Sequence, residues 1–119
     1  QLMGAFLMGK REVIDQIGGW DNDYPLWWED LQFCTDTRKK GFLLYYYPQV
    51  KLIHYEGKSA AQEMSLFKQK RFNKGMRIYF KKNVSYFTYL VISIFSPFSL
   101  FLAWLSGKLH IKQRPQSKI

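Results

Sequence analysis

Trp27-Trp28-Glu29-Asp30 runs two large aromatic side chains straight into two adjacent carboxylates. The residues after the tryptophans predict a helix that opens at Glu29 and Asp30, reaches about Lys40 and stops at Gly41, with Arg38, Lys39 and Lys40 in its last turn. Unpaired backbone N–H groups and the positive end of the helix dipole favour carboxylates in a first turn, so a stable helix start accounts for the pair by itself. The approach to it points further. Gly18-Gly19-Trp20-Asp21 and Asn22-Asp23-Tyr24-Pro25 form a glycine- and turn-rich loop that a packed helix does not need and a substrate-binding loop does. A carboxylate at the end of such a loop, beside aromatic walls, is placed to take a proton from a bound hydroxyl.

Upstream of this loop, residues 10–17 read as a short helix with Val13, Ile14 and Ile17 on one face, ended by Gly18. Residues 2–8 read as a buried strand whose Gly4 and Ala5 let something approach the backbone. Within the Asp30 helix, Leu31 and Cys34 share one face and Phe33 and Thr37 another. Residues 42–47 and 50–55 are β-rich runs broken by Pro48, which predicts two strands meeting at a bend, with Leu52 and His54 on one face. Ser59-Ala60-Ala61-Gln62 reads as a capping box opening a basic amphipathic helix that reaches Lys82. Lys68, Lys70, Arg71, Lys74, Arg77, Lys81 and Lys82 are interleaved there with Leu66, Phe67, Phe72, Met76, Ile78, Tyr79 and Phe80.

Residues 84–106 contain no charge, and their length meets the threshold for a membrane span. Ser96-Pro97 interrupts them near the middle, leaving halves too short to cross alone. Basic residues flank both ends, which suits either a helical hairpin in one leaflet with both ends cytoplasmic, or a kinked span. The tail after His110 reads as disordered.

At 119 residues the chain is about the size of one small domain. It opens at Gln1 inside an apolar run, which sets the expectation of a piece of a longer protein. The single Cys34 excludes an internal disulfide, and with no His or Cys near it in sequence it reads as a small apolar side chain. Charge is divided: residues 1–63 carry 7 Lys/Arg and all 9 Asp/Glu, while residues 64–119 carry 11 Lys/Arg and no acid. Only the second part is a cationic surface, suited to the phosphates of nucleic acid, nucleotide or anionic lipid. A nucleic-acid role leaves the uncharged segment unexplained and is set aside.

The order of these features resembles the C-terminal half of the family 2 glycosyltransferases, which have the GT-A fold. The matching residues run from Gly4-Ala5-Phe6-Leu7 through Arg11-Glu12, Ile17-Gly18-Gly19-Trp20-Asp21, Trp28-Glu29-Asp30-Leu31, Arg38-Lys39-Lys40-Gly41-Phe42 and Tyr47-Pro48 to Ile53-His54-Tyr55-Glu56-Gly57-Lys58-Ser59. Gln32 stands where the family often has a second acid, and Asp36 where it often has an arginine.

The resemblance implies an α/β fold: part of a GT-A domain over residues 1–59, then a basic amphipathic helix over 60–83, a membrane-associated apolar segment over 84–106 and a basic tail over 107–119. It implies an inverting transfer from a nucleotide-diphosphate sugar to a hydroxyl of a glycan or lipid-linked acceptor, in cell-surface polysaccharide synthesis, at an anionic membrane on the cytoplasmic face of the bacterial inner membrane. Asp30 would be the general base, with Glu29, Trp28, Trp27, Trp20 and Asp21 on the acceptor and Lys58 and Gly4 on the donor diphosphate side. A divalent metal, Mg²⁺ or Mn²⁺, would have most of its ligands in the family's N-terminal half, with His54 a further ligand. For several of these residues the side chain leaves a second reading open. His54 also fits a hydrogen-bonded strand histidine, Lys58 a solvated loop lysine, and the tryptophans either stacking on a sugar or packing. A membrane-docking module without catalysis is the competing reading of the whole chain.

Overall fold

The computed structural model describes residues 4–53 and 65–108, and these hold four helices, α1 (Arg11–Ile17), α2 (Glu29–Lys39), α3 (Ser65–Asn83) and α4 (Tyr86–Lys108). His54, Lys58, the Ser59-Gln62 capping box and the tail after Lys108 lie outside the described residues.

The two N-terminal helices start and stop where the sequence places them. Gly18 ends α1 at φ 82°, and the N–H groups of Gly18 and Gly19 bond back to Asp15 O and Ile14 O. Gly41 does the same after α2 at φ 83°, its N–H reaching Arg38 O at 2.9 Å. Glycine takes this left-handed conformation without the Cβ clash that other residues meet.

The expected α/β architecture is not found. Among the described residues there is no strand: residues 4–6 form a turn and bend, and residues 42–47 and 50–53 run without regular structure. A strand is stable only when a neighbour pairs its N–H and C=O groups and covers one face. Here Tyr46 and Ile53 are 80% and 81% exposed, so the β-branched and aromatic residues of this segment have neither. β-propensity in a sequence measures fit to a half-buried pleated surface, and no such surface is present among the described residues. The partial GT-A domain is therefore corrected to a helical arrangement.

The second correction concerns the apolar segment. α4 continues through Pro97 as one helix of 23 residues. Proline withdraws the N–H that would bond the Ser93 carbonyl, four residues back, and the helix runs on past that lost bond. Ser96 O accepts from Asn73 Nδ2 at 3.2 Å and from Ser99 Oγ at 2.8 Å. At ~1.5 Å per residue α4 exceeds the ~30 Å of a hydrocarbon core, and by length and composition it is able to cross a membrane.

α3 and α4 form an antiparallel pair joined at Val84-Ser85, where Ser85 Oγ caps α4 by accepting the Thr88 N–H at 3.2 Å. Asn73 of α3 also donates to Ser99 Oγ at 2.6 Å, and Lys81 lies over the Tyr89 ring. What this pair buries is polar or small: Asn73, Ser96 and Ala103 are nearly inaccessible, whereas Phe87 and Ile94 of α4 are 75% and 72% exposed.

Candidate functional site

The Trp27-Trp28 turn sits on α3. Both residues have positive φ, 61° and 70°, a conformation that costs a bulky side chain about 1–3 kcal/mol and persists only where packing imposes it. The packing is visible: the Trp28 ring lies 5.3 Å from Phe72, 5.7 Å from Tyr79 and 6.1 Å from Phe80 between centroids, and Trp27 meets Phe72 edge-on at 6.4 Å. Beneath them is Gly75, where an added Cβ would stand 2.7 Å from Trp28 Cδ1 and 3.3 Å from Trp27 O. The absence of a side chain at Gly75 is what lets the turn come down onto the helix.

That turn launches α2, whose first residues are Glu29 and Asp30. Asp30 Oδ2 accepts the Gly4 N–H at 3.1 Å and Oδ1 accepts the Leu31 N–H at 2.7 Å, so the carboxylate is held in one orientation. Gly4 permits the approach, since a Cβ there would lie 3.2 Å from Asp30 Cβ. Beside it, Trp28 Nε1 and Glu29 Oε2 are buried and find no hydrogen-bond partner among the described residues. A buried donor and a buried acceptor left unpaired each carry a desolvation cost that a bound polar group would relieve.

The loop before the tryptophans is tied to the C-terminal end of α3. Lys82 Nζ reaches Asp21 Oδ2 at 2.6 Å and Asp23 Oδ2 at 2.7 Å and lies over the Tyr24 ring. Burial pushes the Asp21 carboxyl up, but the Lys82 hydrogen bond, the Asp23 N–H and the Lys82 charge outweigh it and hold it below the ordinary value. The hydrogen bonds to Asp21 and Asp23 raise Lys82 well above the usual lysine range. Tyr24 is pushed far above the usual phenol range by burial, so it stays a neutral donor and gives its O–H to Gln32 Oε1 at 2.6 Å. Gln32 is the hub of this seam. Its Oε1 also accepts from Asn83 Nδ2 at 2.6 Å, and its Nε2 donates to both Asp36 oxygens at 2.9 Å. Gln32 and Asp36 thus form one contact, in which the amide donates where a carboxylate would set like charge against Asp36.

The sequence-derived site residues divide accordingly. Asp30, Glu29, Trp28 and Gly4 come together at the start of α2. Trp27 and Trp28 rest their rings on α3, Trp20 packs at 4.9 Å on Phe33, and Asp21 belongs to the Lys82 clamp. Among the described residues no three His, Cys, Asp or Glu side chains gather as a metal site, and His54 and Lys58 lie outside them. Gly75, Gln32, Lys82 and Asn83 were not legible as site-building residues. An isolated glycine inside the basic helix was the one available signal.

A groove of about 360 Å³ lies between α3 and α4 and is lined by Phe72, Asn73, Met76, Val91, Phe95 and Ser96 among others. Phe72 belongs both to this groove and to the tryptophan platform.

No known family model matches the chain, and no solved structure matches it. Over 62 residues, 52% of the chain, it is 29% identical to the N-acetylglucosaminyl-diphospho-decaprenol L-rhamnosyltransferases of two Mycobacterium tuberculosis strains, CDC 1551 / Oshkosh and ATCC 25618 / H37Rv. That match spans 20% of the length of those proteins. The matched half of the chain is therefore similar to part of a glycosyltransferase, and the family 2 resemblance rests on its motifs.

Proposed function

We propose that the chain carries the acceptor-side part of a glycosyltransferase that uses a nucleotide-diphosphate sugar and a glycan or lipid-linked acceptor. The observation that carries this reading is the start of α2: a carboxylate fixed in orientation by the Gly4 N–H, next to a buried, unpartnered indole N–H and a buried, unpartnered carboxylate oxygen. In the proposed step an acceptor hydroxyl gives its proton to Asp30 as its oxygen attacks the anomeric carbon, and the bond from that carbon to the diphosphate breaks on the opposite side. Each carboxylate oxygen carries two lone pairs, and the proton would be taken on one of them. General-base help of this kind is worth about 10²- to 10⁴-fold. Glu29 Oε2 and Trp28 Nε1 are closed to solvent, so they would reach neighbouring hydroxyls of the acceptor only after the side chains covering them move aside. The described residues offer no ligand set to a divalent cation, and no part of this step is assigned to one.

A lipid-linked acceptor suits the surroundings better than a free glycan. The groove between α3 and α4 is walled by apolar side chains and meets the tryptophan platform at Phe72, so a hydrocarbon tail lying there leaves its head group near α2. The test is Asp30→Asn in the full-length protein, which keeps shape and removes basicity. Sugar transfer should fall at least a hundredfold while nucleotide-sugar binding stays nearly unchanged, and Glu29→Gln should be milder. Retention of a tenth of wild-type turnover by Asp30→Asn would remove Asp30 as the base and favour the second reading, a membrane-docking module without catalysis.

A further inference from the structure

A helix pair folding in water buries its large apolar side chains and exposes its polar ones. α4 does the reverse. The side of α4 against α3 carries Ser96, Ser99 and Ala103, while Phe87, Ile94, Phe98 and Phe101 are exposed. Successive steps of 7, 4 and 3 residues put these last four on one helix face, opposite Ser96 and Ala103. Such an arrangement calls for apolar surroundings on that face, and the length of α4 admits a crossing.

The partner helix decides against the crossing. α3 runs antiparallel to α4, with Lys81 level with Tyr89, Asn73 with Ser96, and Gln69 beside the same groove as Ser99. Lys70, Lys74 and Arg77 are exposed and lie level with the middle of α4. If α4 stood across a bilayer with α3 packed on it, these three cations would enter the hydrocarbon centre, where an ionised side chain is strongly disfavoured and none of them has an acid beside it on α3. Lys70, Lys74, Arg77 and Lys81 follow one another at i, i+4, i+7 and i+11, forming a single cationic line along α3. The platform under the tryptophans uses Phe72, Gly75 and Tyr79, a different face.

We propose that α3 and α4 lie flat in one leaflet of an anionic membrane, α4 with its Phe87-Ile94-Phe98-Phe101 face in the hydrocarbon and α3 level with the lipid phosphates. Interaxial distances of about 8–10 Å between packed helices match the depth of about 5–10 Å at which such a face enters the headgroup–acyl boundary. The occupant of this surface is the lipid itself: charge complementarity selects phosphate headgroups for the cationic line, and the aromatic and aliphatic face selects acyl chains. This orientation is independent of the reaction assigned to Asp30.

The experiment uses the full chain with Cys34→Ala, carrying single nitroxide-labelled cysteines at positions 87, 94, 98, 101 and 105, in vesicles of phosphatidylcholine with phosphatidylglycerol. Relative collision rates with oxygen and with a water-soluble nickel chelate report depth at each position. Similar depths at all five, within one leaflet, are expected. A profile that starts near one surface at 87, passes the bilayer centre and reaches the opposite surface at 105 would overturn the proposal. In a second arm, Lys70→Gln/Lys74→Gln/Arg77→Gln should bind phosphatidylglycerol-containing vesicles about a hundredfold more weakly at low salt, with unchanged binding to pure phosphatidylcholine. Wild-type affinity of the triple variant for phosphatidylglycerol-containing vesicles would show that the cationic line does not face lipid, and would overturn the proposal as well. An unchanged helical circular dichroism spectrum separates this loss from unfolding.

Discussion

Gly75→Ala tests the seat of the tryptophan turn with a single methyl group. On an isolated helix the substitution is favourable by about 1 kcal/mol, because alanine loses less backbone entropy than glycine. In the folded chain the new Cβ would be 2.7 Å from Trp28 Cδ1 and 3.2 Å from Cγ, against ordinary contacts of 3.4–4 Å. The indole must therefore move by roughly 1 Å, and it is not the free end of a flexible chain: Phe72, Tyr79 and Phe80 surround it. Forcing an extra methyl into such a place costs about 1–3 kcal/mol, so the propensity gain is cancelled or exceeded. The larger effect falls on the carboxylate. Trp28 immediately precedes α2, and a shift of about 1 Å at a reacting group costs on the order of 10²-fold in rate. Gly107→Ala is the control, since nothing lies within 4 Å of a Cβ there. Urea denaturation and sugar transfer by the full-length protein should show Gly75→Ala no more stable than wild type and about a hundredfold slower, with Gly107→Ala near wild type in both. A Gly75→Ala variant that gained about 1 kcal/mol and kept full activity would refute the packing of the turn on α3.

Two further substitutions probe the seam between α2 and α3. Gln32→Glu removes the amide that donates to both Asp36 oxygens and sets two carboxylates side by side; a loss of about 2 kcal/mol or more in urea is expected, with most of it restored by adding Asp36→Asn. Wild-type stability in the single variant would show that the Gln32–Asp36 contact is not formed. Lys82→Met releases Asp21, so the Asp21 carboxyl, followed by NMR, should titrate at higher pH than in wild type. Asp21 is depressed in the folded state, so its contribution is present at neutral pH and is lost as pH falls through that lowered value. Lys82 is raised, so its share is present at neutral pH and lost only as pH climbs through its elevated value. A wild-type advantage over Lys82→Met that stayed constant down to pH 2 would contradict the clamp.

Helix limits were readable because they are written locally. Gly18 and Gly41 each end a helix through their own backbone conformation, and the acids of α2 sit in its first turn whatever surrounds them. The strands were not readable, because a strand is a property of pairs of segments. Residues 42–53 carry the composition of a sheet, and the described residues give them no partner. Pro97 misled because the single N–H that a proline withdraws does not by itself end a helix, and α4 runs on through it from Tyr86 to Lys108. In the candidate site, Asp30 and Glu29 were legible from their place beside aromatic residues after a turn-rich loop. Gln32, Lys82 and Asn83 were not, because their contacts join distant parts of the chain.

The clamp and the seam also set an order of assembly. Bonds from α3 to α4 connect residues 23 and 26 apart, whereas those from α2 and its loop to α3 connect residues 44, 51 and 61 apart. Closing the longer loops costs more chain entropy, by about 0.6 kcal/mol per doubling of length, and contacts distant in sequence slow folding. The α3–α4 pair is therefore expected to form early, and α2 to dock on an α3 that already exists. In a chain synthesised from its N-terminus, α2 leaves the ribosome well before Tyr79, Lys82 and Asn83, and Asp30 waits without its platform until they emerge.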